Sequence, residues 1–296
     1  MANEKLNILP VPTFGKLGVN YVQRDLDGYE AKNISVTDNH EGVVRSDISD
    51  STEYEIYAGS GEETFVIQYI KADSSVVLKT VIEAQDNSKV RLVQVFDSKK
   101  QIISKLDTQL SENAEFDLVQ LYLGGSDTVS EIDTVLKGRR TRFGVNIGYV
   151  LDEQDKLDIN LIADHYGKKS ESQIAVNGVL GGNSDKTFKG TIDFKNGSAA
   201  AKGSEQENVL LMSETVRNRT VPVILCAEED VEGSHGATVG KLDEKHIFYM
   251  QSRGIPEDKI YELMARSRLM QVIKNIGDPQ TENRILHSLG WGDNDE

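Results

Sequence analysis

Proline is absent from Val221 back to Thr13, and the chain's five prolines stand at positions 10, 12, 222, 256 and 279. Proline cannot donate to a β-ladder, so a tract this long without it suits uninterrupted sheet, although a helical tract would tolerate the same absence. Periodicity separates the two. In Phe143-Gly-Val145-Asn-Ile147-Gly-Tyr149 every second residue is apolar, and Leu157-Asp-Ile159-Asn-Leu161 and Phe116-Asp-Leu118 repeat the pattern. That alternation marks strands with one buried face. Further β-branched or aromatic runs fall at 55–57, 64–70, 76–82, 90–96, 187–194 and 209–212, with Gly-, Asn- and Asp-rich turns between them. Strands therefore recur from about residue 50 to 227, which predicts a sandwich, a barrel or a stacked β-solenoid. No fixed-length repeat singles out the solenoid.

The pattern changes after Gly240. Asp243 is placed to cap a helix that ends at Gly254, and Pro256 takes the first position of a second helix. Ile260, Leu263, Met264, Met270 and Ile273 recur at helical spacing in that second helix. A short third helix is expected over 282–289, ahead of an acidic tail. The division expected is a mixed, polar segment at 1–45, a β core at 46–240 and a helical domain at 241–296.

Composition removes several functions. Lysine and arginine number 33 against 48 aspartates and glutamates, a net charge of −15, and such a field repels nucleic-acid backbones. No run approaches a membrane span, and the N-terminus has no secretory apolar region, so a cytoplasmic protein is expected. One cysteine, Cys226, excludes an internal disulfide framework and multi-thiolate zinc sites. No phosphate-binding Gly-x-x-x-x-Gly-Lys-Ser/Thr loop is present, so the chain is expected not to hydrolyse ATP by itself, and a Gly-x-Ser-x-Gly elbow is absent as well.

The string Asp230-Val-Glu-Gly-Ser-His235-Gly-Ala-Thr-Val-Gly240 sets three glycines around a histidine. Such a run permits tight turns, and an imidazole on one could ligate a metal or simply hydrogen-bond the chain reversal. Cys226 reads as a small buried hydrophobe, His165 as a structural hydrogen-bonding group, and the acidic run Glu228–Asp230 with Glu232 as a solvated face. His40, His246 and His287 have no supporting constellation.

Ser234-His-Gly-Ala-Thr-Val-Gly240, with Phe248-Tyr249 and Ser252-Arg-Gly-Ile255, resembles the C-terminal signature of the SufB/SufD family of iron–sulfur cluster assembly proteins, in its SufD-like short form. Gln206-x-Asn208, His165-x-Gly167, Ser172, Gly178-Val-Leu180 and Phe188-x-Gly190 resemble the family's upstream pattern. The resemblance implies a mainly β fold: a right-handed parallel β-helix core with a C-terminal α-helical subdomain. It implies a non-catalytic scaffold that pairs with a SufB-like protein and docks the SufC-type ABC ATPase through its C-terminal helices, at Phe248, Tyr249, Arg253, Ile260, Tyr261, Leu263 and Met264. Tyr249, Tyr261, Met264 and Met270 would stay available to a partner groove. Where the family carries Cys-Ser-His, this chain has Gly233-Ser234-His235, so only His235 carries over as a candidate ligand of a nascent cluster shared with the partner. A stably bound cofactor is not expected; a transient iron–sulfur cluster at the partner interface is. Two other readings compete: a SufB-like scaffold working as a homodimer, and a carbohydrate-active β-helix enzyme using Asp164 and Asp193. Low aromatic content (6%) weighs against the second.

Overall fold

The structure, a computed structural model, describes residues 3–13, 15–26, 29–37, 42–124 and 127–292. His40 and the last four residues of the acidic tail lie outside these. Strands β1 (Asn3–Leu6) and β2 (Val22–Asp25) form an antiparallel pair. From there to residue 241 the described chain is a parallel β-solenoid built of two eight-stranded sheets. Its first sheet is β3 (Lys32–Val36), β5 (Thr52–Ala58), β7 (Val76–Ala84), β9 (Ile102–Leu110), β11 (Asp127–Leu136), β13 (Lys156–His165), β15 (Asp185–Phe194) and β17 (Arg217–Cys226). The second is β4 (Val43–Ile48), β6 (Glu63–Ile70), β8 (Lys89–Phe96), β10 (Glu115–Tyr122), β12 (Arg142–Leu151), β14 (Glu171–Leu180), β16 (Ala201–Leu211) and β18 (Val231–Lys241). Each strand pairs in parallel with the strand two places along the chain, so the chain alternates between the sheets as it climbs. Of the three architectures left open by strand spacing, the solenoid is the one formed.

The core lies between the sheets, where Leu92, Leu118, Ile132, Ile159, Phe188 and their neighbours are fully buried. Polar side chains run through it in register. Gln94 donates to Gln68 and Gln120 to Gln94, each at 2.7 Å and 26 residues apart, while the Tyr122 hydroxyl donates to Gln120. Later coils lengthen: Arg142 pairs with Glu115 27 residues before it, and Lys202 with Glu232 30 after it. This drift hides the repeat from a search at one fixed period.

Two columns show how the coils stack. The strand starts of the second sheet align Glu63, Lys89, Glu115, Arg142, Glu171, Lys202 and Glu232, so charge alternates along seven rungs of an acidic protein. Unlike charges on facing rungs support the register. At one corner Gly61, Asn87, Asn113, Arg140, Lys169 and Ala200 all have positive φ, between 55° and 78°. Each donates its N–H to the next coil's carbonyl, from Gly61 to Asp86 through Ala200 to Asp230.

Both outer faces are partly covered. The N-terminal segment, too mixed in sequence for assignment, crosses the first sheet: Leu6 packs on Val77, Ile103 and Val129, and Leu9 on Val221. Asn7 is pinned there by Glu131, Asp158 and the buried Lys189 ammonium. Helices α1 (Glu244–Ser252), α2 (Glu257–Ile273) and α3 (Pro279–Ser288) follow the last strand. Ala265, Leu269, Val272 and Ile276 seat α2 and its C-terminal end on the second sheet with Val95, Val119 and Leu121. Close approach there needs Gly148, where an added Cβ would lie 2.7 Å from Leu121 and 3.0 Å from Leu269. Asp243 caps α1 as expected, and Gly254 closes it with φ +85°. Pro256 is the cap of α2 rather than its first residue.

Candidate functional site: the open end and the helical segment

Among the described residues, no further strand stacks on the final coil: β18 pairs only with β16, and β17 only with β15, so each leaves one edge without a strand partner. Pro222 blunts the β17 edge, since it offers no N–H there. β18 has no proline. Its residues are mostly exposed, His235 among them. The glycine-rich string is therefore a strand, correcting the turn that its composition suggested. Gly233, Gly236 and Gly240 do not adopt positive φ; at Gly233 and Gly236 the lack of a side chain serves packing instead. An added Cβ at Gly236 would lie 2.4 Å from the Gln206 side chain, and one at Gly233 would press Phe194 and Ile224. Gly233 thus faces the interior, and alternation turns His235 the same way.

Cys226 is exposed, which corrects the expectation of a buried hydrophobe. It ends β17 on the uncapped coil, where no further turn stacks over it. His165 has the structural role expected. It is buried between the Ser170 and Ser172 hydroxyls, 2.7 and 2.9 Å away, and burial pulls its pKa down to about 4. Asp164 and Asp193 both bind the Lys195 ammonium, at 3.1 and 2.5 Å. Two carboxylates that share one ammonium form an ion-pair cluster.

Beneath the open end lies a polar interior that the sequence reading did not single out. Lys186 donates to Glu207, both fully buried, and Thr220 and the Tyr149 hydroxyl donate to the same carboxylate. Burial pulls the Lys186 ammonium down while Glu207 opposes it, and burial with Glu207 pushes the Tyr149 hydroxyl up. Glu205, two residues along β16, is pushed up to about 7 by burial and by Glu207. The available signal was a Glu-x-Glu on the same alternating face as Ala201 and Val209.

The seven helical residues divide by placement. Phe248, Tyr249 and Leu263 are exposed at 73%, 57% and 47%. Arg253, also exposed, sits 5.2 Å over the Tyr249 ring. Ile260 is buried, Tyr261 is half-buried, and Met264, like Met270, is half-buried against the core beneath the helices. The exposed set is thus an aromatic and cationic surface at the start of the helical segment.

An iron–sulfur cluster generally needs thiolates. The chain has one cysteine, and among the described residues no group of three or more His, Cys, Asp or Glu is placed to hold a metal ion. Also among the described residues, no helix is long and apolar enough to cross a membrane.

Residues 45–268 match the family model for the SufBD core domain of SUF system FeS cluster assembly. The chain is 32% identical over 112 residues to the iron–sulfur cluster assembly protein SufD of Bacillus subtilis, covering 38% of this chain and 26% of that protein. Against SufD of Escherichia coli it is 29% identical over 103 residues, 35% of this chain and 24% of the relative. Against the SufBD family protein ycf24 of Trieres chinensis it is 31% identical over 112 residues, 38% and 23% of the two chains. The matched segment thus spans about a quarter of each relative's length. With the family model running through most of the solenoid and into α2, the chain belongs to the SufBD family of iron–sulfur cluster assembly proteins.

Proposed function

We propose that the chain is a non-catalytic scaffold subunit of a SUF-type assembly complex, pairing with a SufB-like chain and docking a SufC-type ATPase. The observation that carries this reading is the free end of the solenoid. The Pro-free edge of β18 offers unpaired backbone groups that a strand from another chain can complete. In the absence of a SufB-like chain, the same edge can accept a second copy.

Phe248, Tyr249, Arg253 and Leu263 are the residues that would enter the ATPase, while Met264 packs on the core beneath the helices and Ile260 is buried. Aromatic side chains beside an arginine suit an interface centre. α2 lies across β10, β12 and β14, so force applied at α1 reaches the second sheet through Leu269 and Val272. In this mechanism closure of the ATPase shifts the paired solenoids and opens a cluster-forming space between their ends. His235 faces that space, and the partner supplies the sulfur ligands of a transient cluster.

Co-expression with SufB-like and SufC-like chains tests the reading. A complex of all three is expected on affinity purification through this chain alone. Recovery of the chain by itself would overturn it.

A further inference from the structure

The last coil offers a partner two unlike edges. β18 has backbone groups to share but little side-chain area, since Gly233, Gly236 and Gly240 contribute none. β17 carries Pro222, which has no N–H to donate. A stable interface takes about 20–30 residues from each side. The 11 residues of β18 fall short of that, so a chain that completes its ladder must also reach neighbouring surface.

The N-terminal segment supplies such a surface on the β17 side. Leu9 and Val19 are both buried against Val221, with Val223 packed beside them, so the described residues between them lie over the last strand of the first sheet. The Leu9 N–H donates to the Asn20 carbonyl at 3.0 Å, and the Thr13 N–H to the Asn20 side chain at 2.8 Å. The buried Lys189 ammonium donates to the Asn7 carbonyl at 3.1 Å. The segment is thereby fixed before a partner arrives, which lowers the ordering cost of binding. Its outward side chains are nevertheless apolar. Ile8, Val11 and Leu17 are 53%, 47% and 54% exposed, with Pro10 and Pro12 exposed beside them. The two prolines cannot donate to a ladder, so contact here runs through side chains. This ridge precedes residues 45–268, which match the family model, and so lies outside the shared core.

We propose that Ile8, Val11 and Leu17 form an apolar docking ridge for the chain that adds a strand to β18. The contact then runs from the backbone edge of one sheet to the outer rim of the other. Its occupant is the SufB-like partner, so the ridge rests on the pairing proposed above, and that partner presents an apolar patch beside its own edge strand.

The test is calorimetric titration of the purified full chain with a purified SufB-like chain. Val11→Asp with Leu17→Asp should weaken binding about tenfold or more. Val11→Ser with Leu17→Ser should weaken it less, in step with the apolar area lost. Val81→Ser, at a valine of similar exposure on β7, should leave affinity unchanged. Both ridge positions are exposed, so the variants retain the fold, which a thermal melt verifies. Should the aspartates lower the melt, the serine pair decides. Ridge variants that bind like the wild type would overturn the ridge and leave the assembly role standing. A wild-type chain that does not bind the SufB-like chain would overturn both. Sedimentation of the chain alone reads self-association. If the ridge variants weaken that and spare the SufB-like contact, the ridge belongs to a second copy and the proposal fails.

Discussion

Lys186 and Glu207 face one another inside the solenoid with neither side chain touching solvent, and the carboxylate also accepts from Thr220 and Tyr149. Tyr149 reaches it across Gly178, where an added Cβ would lie 1.8 Å from the ring. Four strands, β12, β15, β16 and β17, thereby meet at one carboxylate. Removing one member of such a pair strands a buried charge. Lys186→Met should lower unfolding free energy by about 3–5 kcal/mol, and Lys186→Met with Glu207→Gln should cost less than the single change. Urea denaturation of the three proteins measures both. An equal or greater loss in the double variant would contradict the pairing.

Asp133 provides a pH test on the outer face of the first sheet. Burial, with Glu131, Asp107 and Asp164 nearby, pushes its carboxyl up to about 7. Its folded pKa exceeds its unfolded value, so the native state binds the proton more tightly. This group therefore adds stability as pH falls through 7 toward 4 and opposes folding above 7. Asp133→Asn should stabilise the protein at pH 8 by on the order of 1 kcal/mol, allowing for partial solvent access. The gain should vanish near pH 4. Thermal melts across that range decide it.

Ala200 occupies the last place in the positive-φ corner column, at φ 60°. A β-carbon there is strained, and the asparagines at 87 and 113 tolerate the geometry better. Ala200→Gly should therefore raise stability by about 0.5–1 kcal/mol, against the usual direction for glycine. Chemical denaturation measures the sign.

The helical surface separates docking from folding. Phe248→Ala with Tyr249→Ala should abolish recovery of the ATPase while changing stability by no more than about 0.5 kcal/mol. Ile260→Ala should cost about 2–5 kcal/mol because its side chain is buried. Co-purification beside a thermal melt reads both effects.

β12 is the strand that reads most plainly in the sequence, because its interior positions are apolar throughout. Phe143, Val145, Ile147 and Tyr149 alternate without interruption and all lie buried in β12. β9 and β11 escaped that reading because Ser104, Thr108, Thr128, Ser130 and Thr134 occupy buried positions. Small hydroxyl residues fit the narrow interior but break a hydropathy pattern. The glycine-rich string misled for a related reason. Glycine signals conformational freedom in sequence, whereas Gly233 and Gly236 answer to side chains on neighbouring strands. Burial of Ile260 and the half-burial of Met264 depend on where α2 meets the sheet, which helical spacing alone does not specify.

The glutamine column has an architectural consequence. Gln68, Gln94 and Gln120 occupy the same height 26 residues apart, and each amide points the same way. Excision of one such 26-residue module would bring Gln120 onto Gln68 with donor and acceptor already matched. Asn113, which donates to Asn87 at the same interval, would move down one place with it. The early part of the column is thus built from interchangeable storeys, so the distance between its first coil and its last can be adjusted in whole units without redesigning either.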